Sequence, residues 1–383
     1  MAFILSSENV LAYLTLKGIC QPEQQLIEVV ESDQYKNFNL IVNVTENDHY
    51  LVKQERLTDK DNLTFGNLNY ELALHQLIKN FPELEPIQTS TSQVVKFDPE
   101  NSIIVIRYLP DHLSLAEFYE RKQEYPPQIA SLLGNNLAQL HRLTLEQTKY
   151  REFLIQQTGQ NDFGNAPLSL RGLARVGPGI FGNICSNGID FFKLYQRFPS
   201  LHQAVSELHG SYQSVCLTHC DLNFSNYLIE NQDDISAGSQ IKLIDWEFLN
   251  WGDPAFDLGI LVAKYLKLWL NSLFVDSDTE LNLALSLALC PLEKVQPSLS
   301  ALLKGYLAEF PEVLAAIPNF LTRVIQFAGL DLIKSIQHKI EHHRAFNNRD
   351  ICSLQVAKSL LCQPEESMAT IFSFTDSKAV AAV

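Results

Sequence analysis

An α+β architecture in two lobes, a small β-rich lobe followed by a larger and mainly helical one, is what this sequence predicts. Three observations carry it. At 383 residues the chain exceeds what a single core usually organises. Between 24 and 56, and again between 94 and 109, apolar residues alternate with period two, the spacing of half-buried strands. From 114 onward the spacing is almost entirely that of amphipathic helices.

The elements follow in order. Residues 8–18 have helical periodicity behind Ser6 or Ser7 as the expected N-cap. QLIEVVES, FNLIVNVTE and HYLVKQE then read as an antiparallel meander, with Glu46, Asn47 and Asp48 turning between the second and third strands. GNLNYELALHQLIKN at 66–80 returns to helical spacing, and VVKF and SIIVIRYL, around DPEN, read as a hairpin at 94–109. This sets an amino-terminal lobe at 1–109 and a carboxy-terminal lobe at 110–383, with 110–113 as the linker. Ser114 and Glu117 match a capping box before EFYERK, and 128–143 is a long apolar-striped helix. Segments 189–212, 254–274, 278–290, 296–309 and 319–343 also favour helix. Residues 157–188 differ from their surroundings: seven of the 16 glycines lie there, interleaved with Arg171, Arg175 and Phe181. Such an irregular segment is expected to be an acceptor-contacting loop or a passive insertion. The tail after 367 is expected to be frayed or lightly docked.

Composition excludes several classes. With 46% hydrophobic and 19% charged residues the chain is neither disordered nor fibrous. Its net charge of −15 offers no broad basic field for a phosphate backbone, so nucleic acid is not an expected partner; a cationic acceptor would suit such a surface, although acidity first of all serves solubility. Seven scattered cysteines without C-x-x-C spacing point to a reducing cytoplasm, with Cys216 and Cys220 as small core residues. MAFILSSENVLAYL lacks the basic region and cleavage site of a signal peptide. The most apolar segment, 258–275, is interrupted by Lys264, Lys267 and Asn271, and so reads as a buried or amphipathic helix and not a membrane span.

Most functional information lies in LTHCDLNFSN at 217–226 and IKLIDWEFLNWGDPAFDLG at 241–259. A loop at the end of strand SVCLTH and the end of strand IKLID, expected side by side, present Asp221, Asn226, Asp245 and Glu247. Phosphoryl transfer needs a carboxylate to orient or deprotonate the attacking hydroxyl, and an amide plus a second carboxylate to hold Mg²⁺ across the ATP phosphates. Glu247 reads either as a structural carboxylate or as one facing the acceptor or a metal. Trp246, Trp251 and Trp269 read as core packing around this strand end, with base or cation stacking as the other use.

The pattern HxDxxxxN, then IDWE, then GDPxxDLG resembles the aminoglycoside phosphotransferase and choline kinase family, a small-molecule branch of the protein kinase-like fold. That resemblance implies a bilobal phosphotransferase using ATP and Mg²⁺, with Asp221 as catalytic base and Asn226 and Asp245 as metal ligands beside the nucleotide. Asp257 would be a buried support for the loop, and His219 its scaffold. It also implies a strand lysine held by a helical glutamate; Lys53 in HYLVKQE and Glu71 in GNLNYELALHQL stand on those elements, with Glu83 and Glu85 as nearby alternatives to Glu71. Backbone groups of Tyr108 and Leu109 in RYL would bond adenine.

The chain departs from the family pattern in one place that matters. The turn expected to cover the phosphates, SDQYKNFN at 32–39, has no glycine. Asn37 and Asn39 tolerate left-handed backbone and Lys36 is placed to contact phosphate, but a non-catalytic nucleotide-binding scaffold is the alternative this departure raises. Cys220 and Asn223 stand where relatives often carry glycine and histidine. For the acceptor, an aminoglycoside, choline-like or sugar-like small molecule is one expectation. WGDPAFDLGILVAKYLKLWL, the glycine-rich segment and AKSLLCQPE look similar to kinases of class V lanthipeptide and thioamitide pathways. Those phosphorylate Ser or Thr of a precursor peptide and work with a separate lyase. A remote alternative is a zinc peptidase through His338, Glu341 and His342, which match H-x-x-E-H, with Glu365 or Glu366 as third ligand.

Overall fold

The computed structural model describes residues 3–24, 27–32, 37–55, 68–160, 163–167, 173, 185–231, 240–275 and 287–373. Expectations for Lys36, Arg171, Arg175, Phe181, most of the glycine-rich segment, the helix at 278–290 up to 286, and the tail from 374 lie outside the described residues.

The smaller lobe is a five-stranded antiparallel sheet of β1 (Glu28–Ser32), β2 (Asn37–Asn43), β3 (His49–Glu55), β4 (Val94–Asp98) and β5 (Ile103–Arg107), ordered β1-β2-β3-β5-β4. Alternation decides its two faces. Leu40, Val42, Val52 and Val105 pack with Val10, Tyr13 and Leu14 of helix α1 (Val10–Leu16). On the opposite face Ile104 and Ile106 meet Leu68, at the start of helix α2 (Leu68–Asn80). Asn39 and Lys53 are register partners across β2 and β3, which puts both on this second face. The cap of α1 corrects the expectation: Asn9, not Ser6 or Ser7, is the N-cap, and its side chain turns back to accept from the Ser6 amide at 2.8 Å.

The helices that follow are α3 (Glu85–Thr89), α4 (Leu115–Lys122), α5 (Pro127–Thr144), α6 (Thr148–Thr158), α7 (Ser186–Gln196), α8 (Pro199–Gly210), α9 (Pro254–Ser272), α10 (Leu292–Glu309), α11 (Val313–Ala316), α12 (Phe320–His343), α13 (Asn348–Cys362) and α14 (Pro364–Ile371). Strands β6 (His112–Ser114), β8 (Tyr227–Glu230) and β9 (Ile241–Leu243) form one small sheet, and β7 (Cys216–Thr218) pairs with β10 (Asn250–Gly252) in another. His112 already pairs with Glu230, so the chain enters a sheet of the larger lobe directly after Pro110 and Asp111. The Ser114–Glu117 capping box is formed in both directions.

The helices pack around one large apolar core. At Gly134 a Cβ would stand 2.1 Å from the Leu302 carbonyl, so only glycine lets α5 and α10 approach this closely. The segment expected as one helix at 189–212 is two, α7 and α8, because Pro199 cannot continue the preceding helix and instead starts the next. Helices α13 and α14 lie beyond the expected set; α13 is launched by Asn347, which accepts from the amides of Arg349 and Asp350. The α+β class, with a small antiparallel-sheet lobe and a mostly helical larger lobe, is the observed architecture.

Candidate active site

The two strand ends that carry the motifs lie in different sheets, β7 beside β10 and β9 beside β8. Loop hydrogen bonds join them. The Ile244 amide donates to the Asn226 carbonyl at 2.9 Å, and His219 Nε2 lies 3.0 Å from the Ile244 carbonyl. The Asp221 amide donates to His219 Nδ1 at 3.3 Å, which places the ring proton on Nε2, where it donates to Ile244. His219 is buried, and its ring tilts on Trp246 at 4.6 Å between centroids. It is a scaffold here, using both nitrogens on backbone.

Asp257, with no exposed surface, fixes the loop from below. Its carboxylate accepts from the His219 amide at 2.7 Å and the Cys220 amide at 2.9 Å, and His141 Nε2 lies 3.5 Å away. The pair of hydrogen bonds matters because Cys220 has φ +64°, in the left-handed region that favours glycine. The residue type that relatives often place there is thus the one the backbone prefers. Burial pushes the Cys220 thiol up, away from the thiolate form. Asn226 donates its amide to the Asp221 carbonyl at 2.9 Å, which turns its Oδ1 away from that bond, where it accepts from the Ser225 hydroxyl at 3.4 Å and has a second lone pair for another partner. Asn223 Nδ2 stands 3.4 Å from Asp221 Oδ1.

From the smaller lobe, Lys53 reaches this loop pair. Its Nζ lies 2.7 Å from Asp245, 3.4 Å from Glu71 and 3.9 Å from Glu247. Glu83, an alternative partner considered from sequence, pairs with Lys149 at 2.6 Å, and Glu85 is exposed. Burial alone pushes the Lys53 ammonium down, but Glu71, Asp245 and Glu247 more than reverse this and hold it well above the ordinary lysine value. Burial raises the Glu71 carboxyl; Lys53 opposes that rise and Asp245 adds to it. Among the described residues, three carboxylates thus surround this one ammonium. Asp245 sits at φ +69°, a backbone state that Asp tolerates better than most residues, and its side chain is 29% exposed.

Glu247 is better connected than its sequence position suggested. It is buried, and Asn37, at the head of β2, donates its side-chain amide to it. Asn37 thereby ties the strand that follows the glycine-free turn to the IDWE segment. Asn39 Oδ1 and Glu71 Oε1 are both buried without a partner among the described residues. At the proposed hinge the Tyr108 amide donates to the His49 carbonyl at 2.9 Å and the Leu109 carbonyl accepts from the His112 amide at 3.2 Å. The Tyr108 carbonyl and Leu109 amide make no backbone hydrogen bond among the described residues.

Two supports escaped the sequence reading. Asp253 caps α9 by accepting from the Ala255 amide at 3.0 Å, accepts from the Gln213 amide at 3.1 Å and pairs with Arg323. The signal for it was the Asp-Pro pair, an N-cap followed by proline at the first helical position. His141 carried no such signal, since its partners Asp257 and Tyr306 are remote in sequence. Trp246 and Trp251 are buried in the core, as expected of packing residues. The His338 and His342 rings lie tilted 4.2 Å apart on α12, but no group of three His, Cys, Asp or Glu able to hold a metal occurs among the described residues. Nothing therefore favours the zinc peptidase reading. No helix among the described residues is long and apolar enough to cross a membrane.

The model of the phosphotransferase enzyme family matches residues 39–295. Among solved structures, an ethanolamine kinase from Plasmodium vivax is similar with a TM-score of 0.56 and 16% identity, over 94% of this chain and 89% of that one. A choline/ethanolamine kinase family protein from Mesorhizobium loti matches at 15% identity, over 96% of this chain and 99% of that one, with a TM-score of 0.47. The choline kinase LicA from Streptococcus pneumoniae matches at 15% identity, over 92% and 98%, with a TM-score of 0.44. At such identities the likeness is one of fold, and the first of the three carries it.

Proposed function

The chain belongs to the phosphotransferase enzyme family, and we propose that it transfers the γ-phosphoryl group of ATP, with Mg²⁺, to a hydroxyl of its acceptor. One observation carries the reading: Lys53, held by Glu71, comes from the smaller lobe to within 2.7 Å of Asp245, which loop bonds connect to the Asp221–Asn226 segment. The donors fit the groups they would hold. Asn226 Oδ1 and the Asp245 carboxylate are hard oxygen donors suited to Mg²⁺. The unpartnered Asn39 Oδ1, beside Lys53 on the sheet face, and the Tyr108 and Leu109 backbone groups suit a nucleotide.

When bound, Mg²⁺ supplies charge neutralisation to the triphosphate. The chain does the rest. Lys53 leaves Asp245 to meet phosphate oxygens, and Glu71 keeps its ammonium aimed into the cleft. Asp221 orients the acceptor hydroxyl and accepts its proton, on a loop held by Asp257 and His219. Strand β2, which follows the glycine-free turn in sequence, is tied to the catalytic segment by Asn37 and Glu247.

The acceptor class we favour is a small hydroxyl-bearing molecule; Ser or Thr of a precursor peptide, with a partner lyase, is the other acceptor the same chemistry serves. Seven unpaired cysteines support a reducing, cytoplasmic setting. The test is Asp221→Asn, assayed for phosphoryl transfer and for Mg-ATP binding. The expected outcome is retained binding with transfer reduced by at least about a thousandfold, which separates a catalyst from a nucleotide-binding scaffold. Full turnover in the variant would remove the assignment of Asp221.

A further inference from the structure

A cluster of lysines lies close to the catalytic loop, in a chain that is otherwise strongly acidic. Helices α9 and α12 run side by side, matched in the same order by Asp253 with Arg323, Phe256 with Phe327, Lys264 with Asp331 and Lys267 with Ser335. They touch most closely at Gly259, where a Cβ would stand 2.6 Å from the Phe327 Cβ. Beyond that point their facing surfaces become polar. Lys264 Nζ pairs with Asp331 at 3.1 Å, with side chains only 12% and 5% exposed. Lys267 Nζ donates to Ser335 Oγ at 2.8 Å. Lys334, one helical turn after Asp331, has no hydrogen bond or ion pair with any described residue.

Three ammonium groups thus share one carboxylate. Burial pushes Lys267 down to about 8, with Lys264 and Lys334 adding to the effect and Asp331 opposing it. Like charges gathered in partly buried surroundings repel, and an anion among them relieves the cost. A structural staple between the helices accounts for Lys264 with Asp331. The Lys267–Ser335 bond is a second such staple, and neither accounts for the third cation, Lys334.

The position of the cluster links it to the chemistry. Lys264 follows Asp257 by seven residues on α9, hence on the same face and about 10 Å along the axis. Asp257 is the residue that grips the catalytic loop. The charge of Lys334 reaches the Cys220 thiol, one residue before Asp221. Tyr265, next to Lys264, packs its ring 5.0 Å from Phe224 of the same loop.

We propose that the phosphate acceptor is a small molecule carrying an anionic group, a carboxylate or a phosphate, which binds at Lys264, Lys267 and Lys334 while its hydroxyl reaches Asp221. This rests on the phosphotransferase reading. In the reaction the hydroxyl oxygen forms a bond to the γ-phosphorus, its proton passes to the Asp221 carboxylate, and the bond from the γ-phosphorus to the bridging oxygen breaks, with the electron pair leaving on ADP. The lysines form no bond; they orient the acceptor and discriminate against cationic acceptors such as amino sugars or choline, which they would repel.

The experiment has two readouts on the full chain. In the first, binding of inorganic sulfate is measured by calorimetry at constant ionic strength. Wild type should bind, Lys334→Gln should bind at least tenfold more weakly, and Lys334→Arg should retain binding. Absent binding, or equal binding by Lys334→Gln, overturns the site. In the second, transfer from Mg-ATP is compared within matched pairs, glucose 6-phosphate against glucose and 4-hydroxybutyrate against 4-hydroxybutanamide, with choline and kanamycin as cationic acceptors. At least tenfold higher kcat/KM for an anionic member supports the proposal, and the pair that shows it identifies phosphate or carboxylate as the recognised group. A preference for choline or kanamycin overturns it while leaving phosphotransfer standing. No consumption of ATP with any acceptor, with sulfate binding intact, removes the phosphotransfer reading and leaves an anion site.

Discussion

Replacing Lys53 by Met removes a cation that lies within ion-pair distance of three carboxylates, two of which are buried and have nowhere to go. The Glu71 and Glu247 side chains are 0% and 5% exposed, at 3.4 Å and 3.9 Å from the ammonium, whereas Asp245 is 29% exposed and reaches water. Deleting one partner of a buried pair costs about 3–5 kcal/mol, because the remaining charge stays buried. That is a large part of the roughly 5–15 kcal/mol that holds a domain folded. The defect should depend on pH with a definite sign. Burial already raises the Glu71 carboxyl, and losing Lys53 takes away the influence that lowers it. A carboxyl whose folded value lies above the unfolded one keeps its stability below the unfolded value, about 4.3, and loses it as pH rises through the folded value. Lys53→Met should therefore be nearly as stable as wild type at pH 4 and fall furthest behind at pH 8. Adding Glu71→Gln removes the stranded charge and should recover about 2 kcal/mol at pH 8. Urea denaturation of the three proteins at both pH values is the assay. A Lys53→Met protein within about 0.5 kcal/mol of wild type at pH 8 would refute the reasoning, as would a double variant no more stable than the single one.

Two further predictions concern the loop pair. Asp245→Asn keeps an oxygen for Lys53 but removes a charge that is partly exposed, so stability should move by less than about 1 kcal/mol; thermal stabilisation by ATP should lose its dependence on Mg²⁺, measured by scanning calorimetry with and without a chelator. Asp257→Ala strands the buried amides of His219 and Cys220, each costing about 1–3 kcal/mol. Faster hydrogen exchange at those two amides should accompany a loss of transfer greater than any loss of ATP binding.

Local chemistry made much of this site legible before any coordinates. Asp221, Asn226 and Asp245 lie in two short motifs whose spacing carries the chemical requirement, and Lys53 sits on a strand whose alternation was plain. The Ser114 capping box was readable for the same reason: its donors and acceptors are three residues apart. What could not be read from the sequence depended on distant partners. The two motif strands belong to different sheets and meet through the Ile244 and Asn226 backbone. Glu247 was ambiguous because its donor, Asn37, lies 210 residues away.

The amino-acid order by itself determined the alternation that makes the smaller lobe a sheet, the helical spacing of the larger one, and the set of oxygen donors available for phosphate and metal, since each is a property of neighbours a few residues apart. Only tertiary structure decided which carboxylates share Lys53, which amides Asp257 holds, and that lysines from two helices collect around Asp331. Charge interactions act through space over several ångströms with no regard for separation along the chain, so their sum at a site exists only once the chain has folded.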